Sequence, residues 1–310
     1  MTTEALEPLA AEAPPRVPLR RRLRPVFGTL GVVAILLVIW EVGKAIAGDP
    51  WRYDSFLGTG IAVNFRPPLK IIQFNDINLP HVWDVLASFG DLSANGQTYF
   101  ASLIGSALFT LRGAALGFAL GTLIGLGLAV LLIHVRVLER GLVPLLVASQ
   151  TIPIVAIAPI VVVGLKAGWL GVAIVASYLT FFPVTIAAIR GLRAADPRAF
   201  ELMRSYAAPR RSILAKLRFP ASAPYVFTAF KVSATASVVG AIVGEFPAGI
   251  REGLGGALLQ AMQYYSINPG RLWAAIIVTA AVGIGAFLLV VVVERRALRS
   301  YRPIDLGAAA

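Results

Sequence analysis

The chain contains no cysteine and only two histidines, and 14% of its 310 residues carry charge. Without thiols there can be no disulfide, no thiolate nucleophile and no cysteine-held metal. His81 and His134 lie far apart with no ligand spacing around them, which argues against a histidine metal site. No cofactor is expected. The sequence also lacks G-x-x-x-x-G-K-[ST], the backbone cradle for nucleotide phosphates, which argues against a P-loop nucleotide site in this chain. A soluble domain carries about 25% charged residues. Here hydrophobic residues make up 57%, enough for apolar side chains to face lipid as well as one another.

A membrane-crossing helix needs roughly 20 mostly apolar residues. Such stretches fall at about 26–47, 107–133, 141–163, 169–189, 223–246 and 272–293. They predict an all-α polytopic membrane protein with six transmembrane helices. Residues 1–25 read as a disordered basic tail and 26–47 as the first span. Residues 48–104 read as an external segment, 105–294 as the core transmembrane domain, and 295–310 as a second tail. The first span follows a basic cluster, Arg16 to Arg24, and Ala45-Ile46-Ala47 imitates a cleavage site. Its length, the interruption by Trp40 and Glu41 and the later spans favour a retained helix over a secretory signal. In the external segment Val82, Val85, Leu86 and Phe89 share one helical face, which predicts a short amphipathic helix at the bilayer interface. Gly117, Gly121 and Gly125 recur every fourth residue of the second span, a spacing that lets helix backbones approach closely in lipid.

The net charge of +12 could signal a nucleic-acid binder. However, the basic residues stand in blocks beside apolar runs: the Arg16–Arg24 cluster, Arg136, Arg140, the Arg190–Arg218 block, and Arg295, Arg296, Arg299 and Arg302. Arg52, Arg66, Lys70, Lys166, Arg251 and Arg271 are the fewer charges of the opposite side. By the positive-inside rule both termini are cytoplasmic, the partner is the lipid bilayer, and no nucleic acid is expected.

Residues 190–222 are too polar to cross a membrane and too patterned for a random loop. Asp196 can cap a helix that starts at Pro197. Phe200, Met203 and Tyr206 or Ala207 recur at helical spacing, with Glu201 and Arg204 on the polar side, and Pro209 ends or kinks the helix. A second short helix has Ile213, Leu214 and Leu217 apolar and Arg210, Arg211, Lys216 and Arg218 polar. Pro220 and Pro224 then break the chain before the next span. The pattern suits docking on a cytoplasmic partner, or a surface element joining two spans.

This stretch resembles the coupling loop of ATP-binding cassette (ABC) importer permeases, whose pattern is E-A-A…G…I-x-L-P. Glu201 to Ala208 stands at its first half and Phe219-Pro220-Ala221-Ser222-Ala223-Pro224 at its second. Pro153 to Pro159, Phe181-Phe182-Pro183, Val243-Gly244-Glu245-Phe246 and Gly253-Leu254-Gly255 extend the resemblance over about 80–300, to the nitrate/sulfonate/taurine/bicarbonate type. The resemblance implies the type I importer permease fold in a bacterial inner membrane and a second permease copy, as a homodimer. It further implies two separate ATPase subunits and an external substrate-binding protein, with no enzyme activity in this chain. Glu201 and Arg204 would make polar contacts to the ATPase, and Ala207, Ala208 and Pro220 would fix the loop's shape. Ala207 replaces a family glycine and Tyr206 a leucine, while Ala187-Ala188 replaces an Asn-Thr pair. Since alanine suits a helical turn better than glycine, a stiffer loop is expected. The long external segment and the run Leu79 to Asp84 incline the reading toward the thiamine-pyrimidine/riboflavin branch.

Polar residues inside spans tend to face partners or water. Gln150 and Thr151, with Ser149, and Thr235 and Ser237, with Ser233, are candidates for the solute pathway. Arg112 and Glu245 are its ionisable candidates. For each hydroxyl the alternative is a bond to a carbonyl of its own helix. Lys231 is expected to snorkel toward the cytoplasmic interface. A membrane-embedded enzyme would need a catalytic constellation, which the sequence lacks. A passive channel leaves the basic two-helix loop unexplained.

Overall fold

The computed structural model describes residues 19–53, 62–93, 96–165 and 168–300. Most of the N-terminal tail, including Arg16, Lys166 and most of the second tail, including Arg302, lie outside the described residues. The chain divides into two compact units, residues 1–83 and 84–310.

In the first unit, helix α1 (Leu19–Ala47) exposes Phe27, Leu30, Ile35, Leu36, Val38 and Ile39 around its circumference. A helix apolar on all sides suits lipid rather than water. Its last turns are polar and hold the chain that follows. The Lys44 ammonium is fully buried and donates to Asp76 at 2.6 Å and to the Leu79 carbonyl at 2.5 Å. Glu41 accepts the Val82 N–H at 2.7 Å and meets His81 Nδ1 at 2.8 Å. Trp40 donates to the Pro80 carbonyl. Strands β1 (Trp51–Tyr53) and β2 (Val63–Phe65) pair antiparallel, with Trp51 opposite Phe65. His81, 1% exposed, stacks on Trp83 at 4.3 Å with the Trp51 ring edge-on. A buried ammonium holds its place only when its donors are satisfied. The Lys44 contacts therefore tie this segment into a folded cap on the end of α1.

Helix α2 (Val82–Ser88) falls where the amphipathic pattern places it. The second unit then runs through α3 (Tyr99–His134), α4 (Arg136–Ser149), α5 (Ile154–Gly164) and α6 (Trp169–Arg193). It continues with α7 (Pro197–Ser205), α8 (Arg210–Ile213), α9 (Phe219–Ala248), α10 (Leu254–Gln263) and α11 (Pro269–Ala297). Among the described residues five helices are long and apolar enough to cross a membrane, or six if the bent pair α4–α5 is one span.

Helices α3, α6 and α9 form the centre. The glycine stripe on α3 lies against α6 so closely that a Cβ at Gly121 would stand 2.6 Å from the Ser177 carbonyl. One at Gly125 would stand 2.7 Å from that of Phe181. Helix packing in lipid rests on such contact, since no hydrophobic force separates helix from tail. Gly121→Leu is therefore expected to lower stability by about 3 kcal/mol, read as thermal unfolding of the detergent-purified chain. Gly127→Leu, where nothing stands within 4 Å, should leave the transition in place.

Two expectations are corrected. The stretch 141–163 is not one straight span, because α4 and α5 meet at 94° across a short break. Pro153 offers no N–H and disfavours helical backbone at Ile152, so the chain turns at Ser149–Ile152. Nor do Pro220 and Pro224 break the chain. Helix α8 runs into a π-helical turn, Leu214–Arg218, and on into α9, giving one helix from Arg210 to Ala248. The wide π turn directly before Pro220 takes up the ring and the missing donor.

Candidate functional site

Two groups of predicted residues occupy distinctive places, and the first is the elbow between α6 and α9. Asp196 caps α7 by accepting the Arg198 N–H at 2.8 Å, and Pro197 occupies the first turn. At the other end the Ala208 N–H reaches the Met203 carbonyl at 3.0 Å and the Ala207 N–H that of Arg204 at 2.9 Å. This double closure is a Schellman motif, whose closing residue takes left-handed backbone. Ala207 has φ 50°, alone among described non-glycine residues in that region. The expectation that alanine would suit a helical turn here is overturned. The position lies just past the helix, in a conformation where a Cβ costs about 1–2 kcal/mol. Ala207→Gly is expected to slow amide exchange at Ala207 and Ala208 and to stabilise the elbow by about 1 kcal/mol, whereas Ala207→Val should do the opposite.

The outward face of α7 differs from the expected one. Phe200 and Met203 are half-buried, and Phe200 carries the guanidinium groups of Arg204 and Arg218 over its ring at 5.6 and 5.3 Å. Glu201 and Arg204 are exposed. Beside them stand Leu202, 58% exposed, and Tyr206, 80% exposed. Sequence reasoning placed Tyr206 with the inward residues and passed over Leu202. The pair lies four residues apart, on one helical face. Ala208 and Pro220 are half-buried in the elbow's frame.

The second group surrounds Glu245, which is 1% exposed. One carboxylate oxygen accepts from the Thr110 hydroxyl at 2.8 Å, and the other accepts the Gly255 N–H at 2.7 Å. The Thr110 oxygen accepts the Leu254 N–H at 2.8 Å. The carboxylate and hydroxyl thus satisfy two of the free N–H groups that begin α10, where negative charge is favoured. Gly253 and Gly255 leave room for it, since a Cβ at either would run into the Glu245 side chain. Glu245 therefore latches α3, α9 and α10 together, with both carboxylate oxygens bonded. Thr110 was missed, because a lone threonine among apolar residues gives no pattern, whereas Leu254 lies in the Gly253-Leu254-Gly255 stretch of the resemblance. The latch borders a cavity of about 260 Å³ lined by Phe109, Arg112, Gly113, Trp169 and Val172.

The remaining candidates separate by what their polar atoms already do. Thr151, Thr235 and Ser237 bond to the carbonyls of Ala148, Val232 and Ala234, three residues back. Ser149 and Ser233 also meet backbone carbonyls, of Leu146 and Thr180. Gln150 stands at the α4–α5 break with its buried amide nitrogen unpartnered. Arg112 is exposed beside the cavity. Lys231 is held by Glu294 of α11 at 2.9 Å. Among the described residues no group of three or more acidic or histidine side chains could hold a metal ion.

Residues 121–299 match the family described as binding-protein-dependent transport system inner membrane component. A formylaminopyrimidine transport permease protein of Halalkalibacterium halodurans is 30% identical, over 82% of this chain and 87% of its own length. A riboflavin transport system permease protein of Chloroflexus aurantiacus is 29% identical, over 92% and 94%. A putative aliphatic sulfonates transport permease protein of Bacillus subtilis is 28% identical, over 93% and 92%.

Proposed function

The chain belongs to the inner-membrane components of binding-protein-dependent transport systems, and from that premise we propose that two copies of it enclose the solute pathway of an ABC importer. As a multi-pass inner-membrane permease it is a transporter component. In the proposal, two ATPase subunits grip the α7–α8 elbow from the cytoplasm, and an external binding protein delivers the solute. Both termini lie in the cytoplasm.

The observation that carries this reading is the outward face of α7. Leu202 and Tyr206 stand exposed in a rigidly closed, strongly basic segment, flanked by Glu201 and Arg204. Large apolar side chains with a charged rim are the usual make-up of a contact that binds. Because α8 runs unbroken into α9, a push on the elbow reaches the span as a rigid-body movement. Along the pathway, Gln150 at the break and Arg112 beside the Glu245 cavity offer uncommitted polar groups. Broken helices in transporters place such groups where solute passes.

For the substrate we propose a vitamin-related heterocycle, a pyrimidine or a flavin. Support comes from the two relatives named for formylaminopyrimidine and riboflavin transport and from the folded cap after α1. The test is uptake by cells expressing the chain with its ATPase and binding protein, offered labelled riboflavin, a formylaminopyrimidine and an aliphatic sulfonate in turn. Uptake of one heterocycle, abolished by inactivating the ATPase, is the expected result. Uptake of the sulfonate alone would overturn the substrate assignment, and uptake indifferent to the ATPase would overturn the importer.

A further inference from the structure

A second cavity, of about 220 Å³, lies between the end of α3 and the elbow. Its lining includes His134, Arg210 and Arg218, with Phe200, Ile213 and Leu214. Two of these residues, Arg210 and Arg218, are basic, and none is acidic. Among the described residues neither Arg210 nor Arg218 has a carboxylate within ion-pair distance, although Arg193 and Arg271 each have one. Arg218 is nonetheless held in place, its guanidinium stacked 5.3 Å from the Phe200 ring centroid. His134 is anchored by its Nδ1 contact with the Val130 carbonyl at 2.7 Å. The cavity has an apolar floor of Ile133, Ile213 and Leu214.

Its level in the bilayer follows from α3. The helix is apolar through Ile133, and His134 and Arg136 are the first polar residues after it, so the cavity lies where hydrocarbon gives way to headgroups. The positioned guanidinium of Arg218 and the exposed one of Arg210, over an apolar floor, suit a phosphate that remains attached to something apolar. Guanidinium forks match phosphate oxygens in pairs. We propose that this cavity binds a phosphate group, supplied by an anionic phospholipid of the inner leaflet. Occupancy would brace the elbow against α3. The assignment to the inner leaflet rests on the topology proposed above, whereas the site itself rests on the cavity alone.

The experiment is native mass spectrometry of the full chain, purified with its ATPase and exchanged into detergent containing phosphatidylglycerol or phosphatidylcholine. Wild type is expected to retain one phosphatidylglycerol per chain and no phosphatidylcholine. Arg210→Gln with Arg218→Gln should reduce that retention by about tenfold or more. Arg211→Gln with Lys216→Gln removes equal charge from residues outside the cavity lining, and should retain the lipid. Inorganic phosphate at millimolar level separates the sources: competition with the lipid confirms the shared phosphate chemistry, and phosphate adducts without any lipid would make the occupant a free anion. Equal loss in both double variants, or none in either, overturns the site. ATPase co-purification in the same samples reports the elbow's docking separately, so either idea can fail while the other stands.

Discussion

Glu245→Ala is expected to lower the stability of the permease by about 3 kcal/mol, the loss that follows when a buried, doubly bonded carboxylate is taken from its partners. The substitution strands the Gly255 N–H and the Thr110 hydroxyl in a water-poor interior. It also removes the negative group from the start of α10 and leaves a hole where the side chain was. Thr110→Val should cost less, about 2 kcal/mol, since it strands the Leu254 N–H and leaves one carboxylate oxygen unbonded. Glu245→Gln should fall between wild type and alanine, because the amide keeps one acceptor oxygen where the carboxylate uses two. Thermal unfolding in one detergent orders the series. If Glu245→Ala melted with wild type, the latch would be refuted. A variant that melts normally but transports poorly would return Glu245 to the pathway.

The second large effect is expected at the elbow. Leu202→Ser with Tyr206→Ser should reduce ATPase co-purification by roughly a hundredfold, as about 3 kcal/mol of apolar burial is lost from a contact. It should leave the unfolding temperature unchanged, because both side chains are exposed in the isolated chain. Glu201→Ala with Arg204→Ala should cost less binding, since exposed polar contacts contribute little, and should uncouple ATP hydrolysis from uptake while the protein still inserts. A binding loss confined to the charged pair would reverse this ranking.

The helices themselves were legible in the sequence, since runs such as 169–189 and 272–293 are long, apolar and bounded by charge. The cap of α7 was legible too, because Asp196 followed by proline permits few alternatives. What stayed hidden depended on partners remote in sequence. Glu245 read as a candidate pathway ligand, and nothing local tells that Thr110, 135 residues away, holds it. Nothing local in the sequence says that Lys44 is buried against Asp76. The break at Gln150 was hidden for another reason. Pro144, Pro153 and Pro159 all lie in that stretch, and periodicity cannot say which will bend the helix and which it will absorb. At Ala207 the propensity argument failed because it assumed helical backbone, whereas the Schellman closure places the residue just beyond the helix.

Since the chain has no cysteine, Tyr206→Cys gives a single reporter on the outward face of α7. In inside-out membrane vesicles a membrane-impermeant maleimide should label it rapidly when the ATPase has been stripped away, and slowly once the ATPase is restored. Labelling at the same rate with and without the ATPase, or labelling from the outside of intact cells, would contradict the coupling role of the elbow.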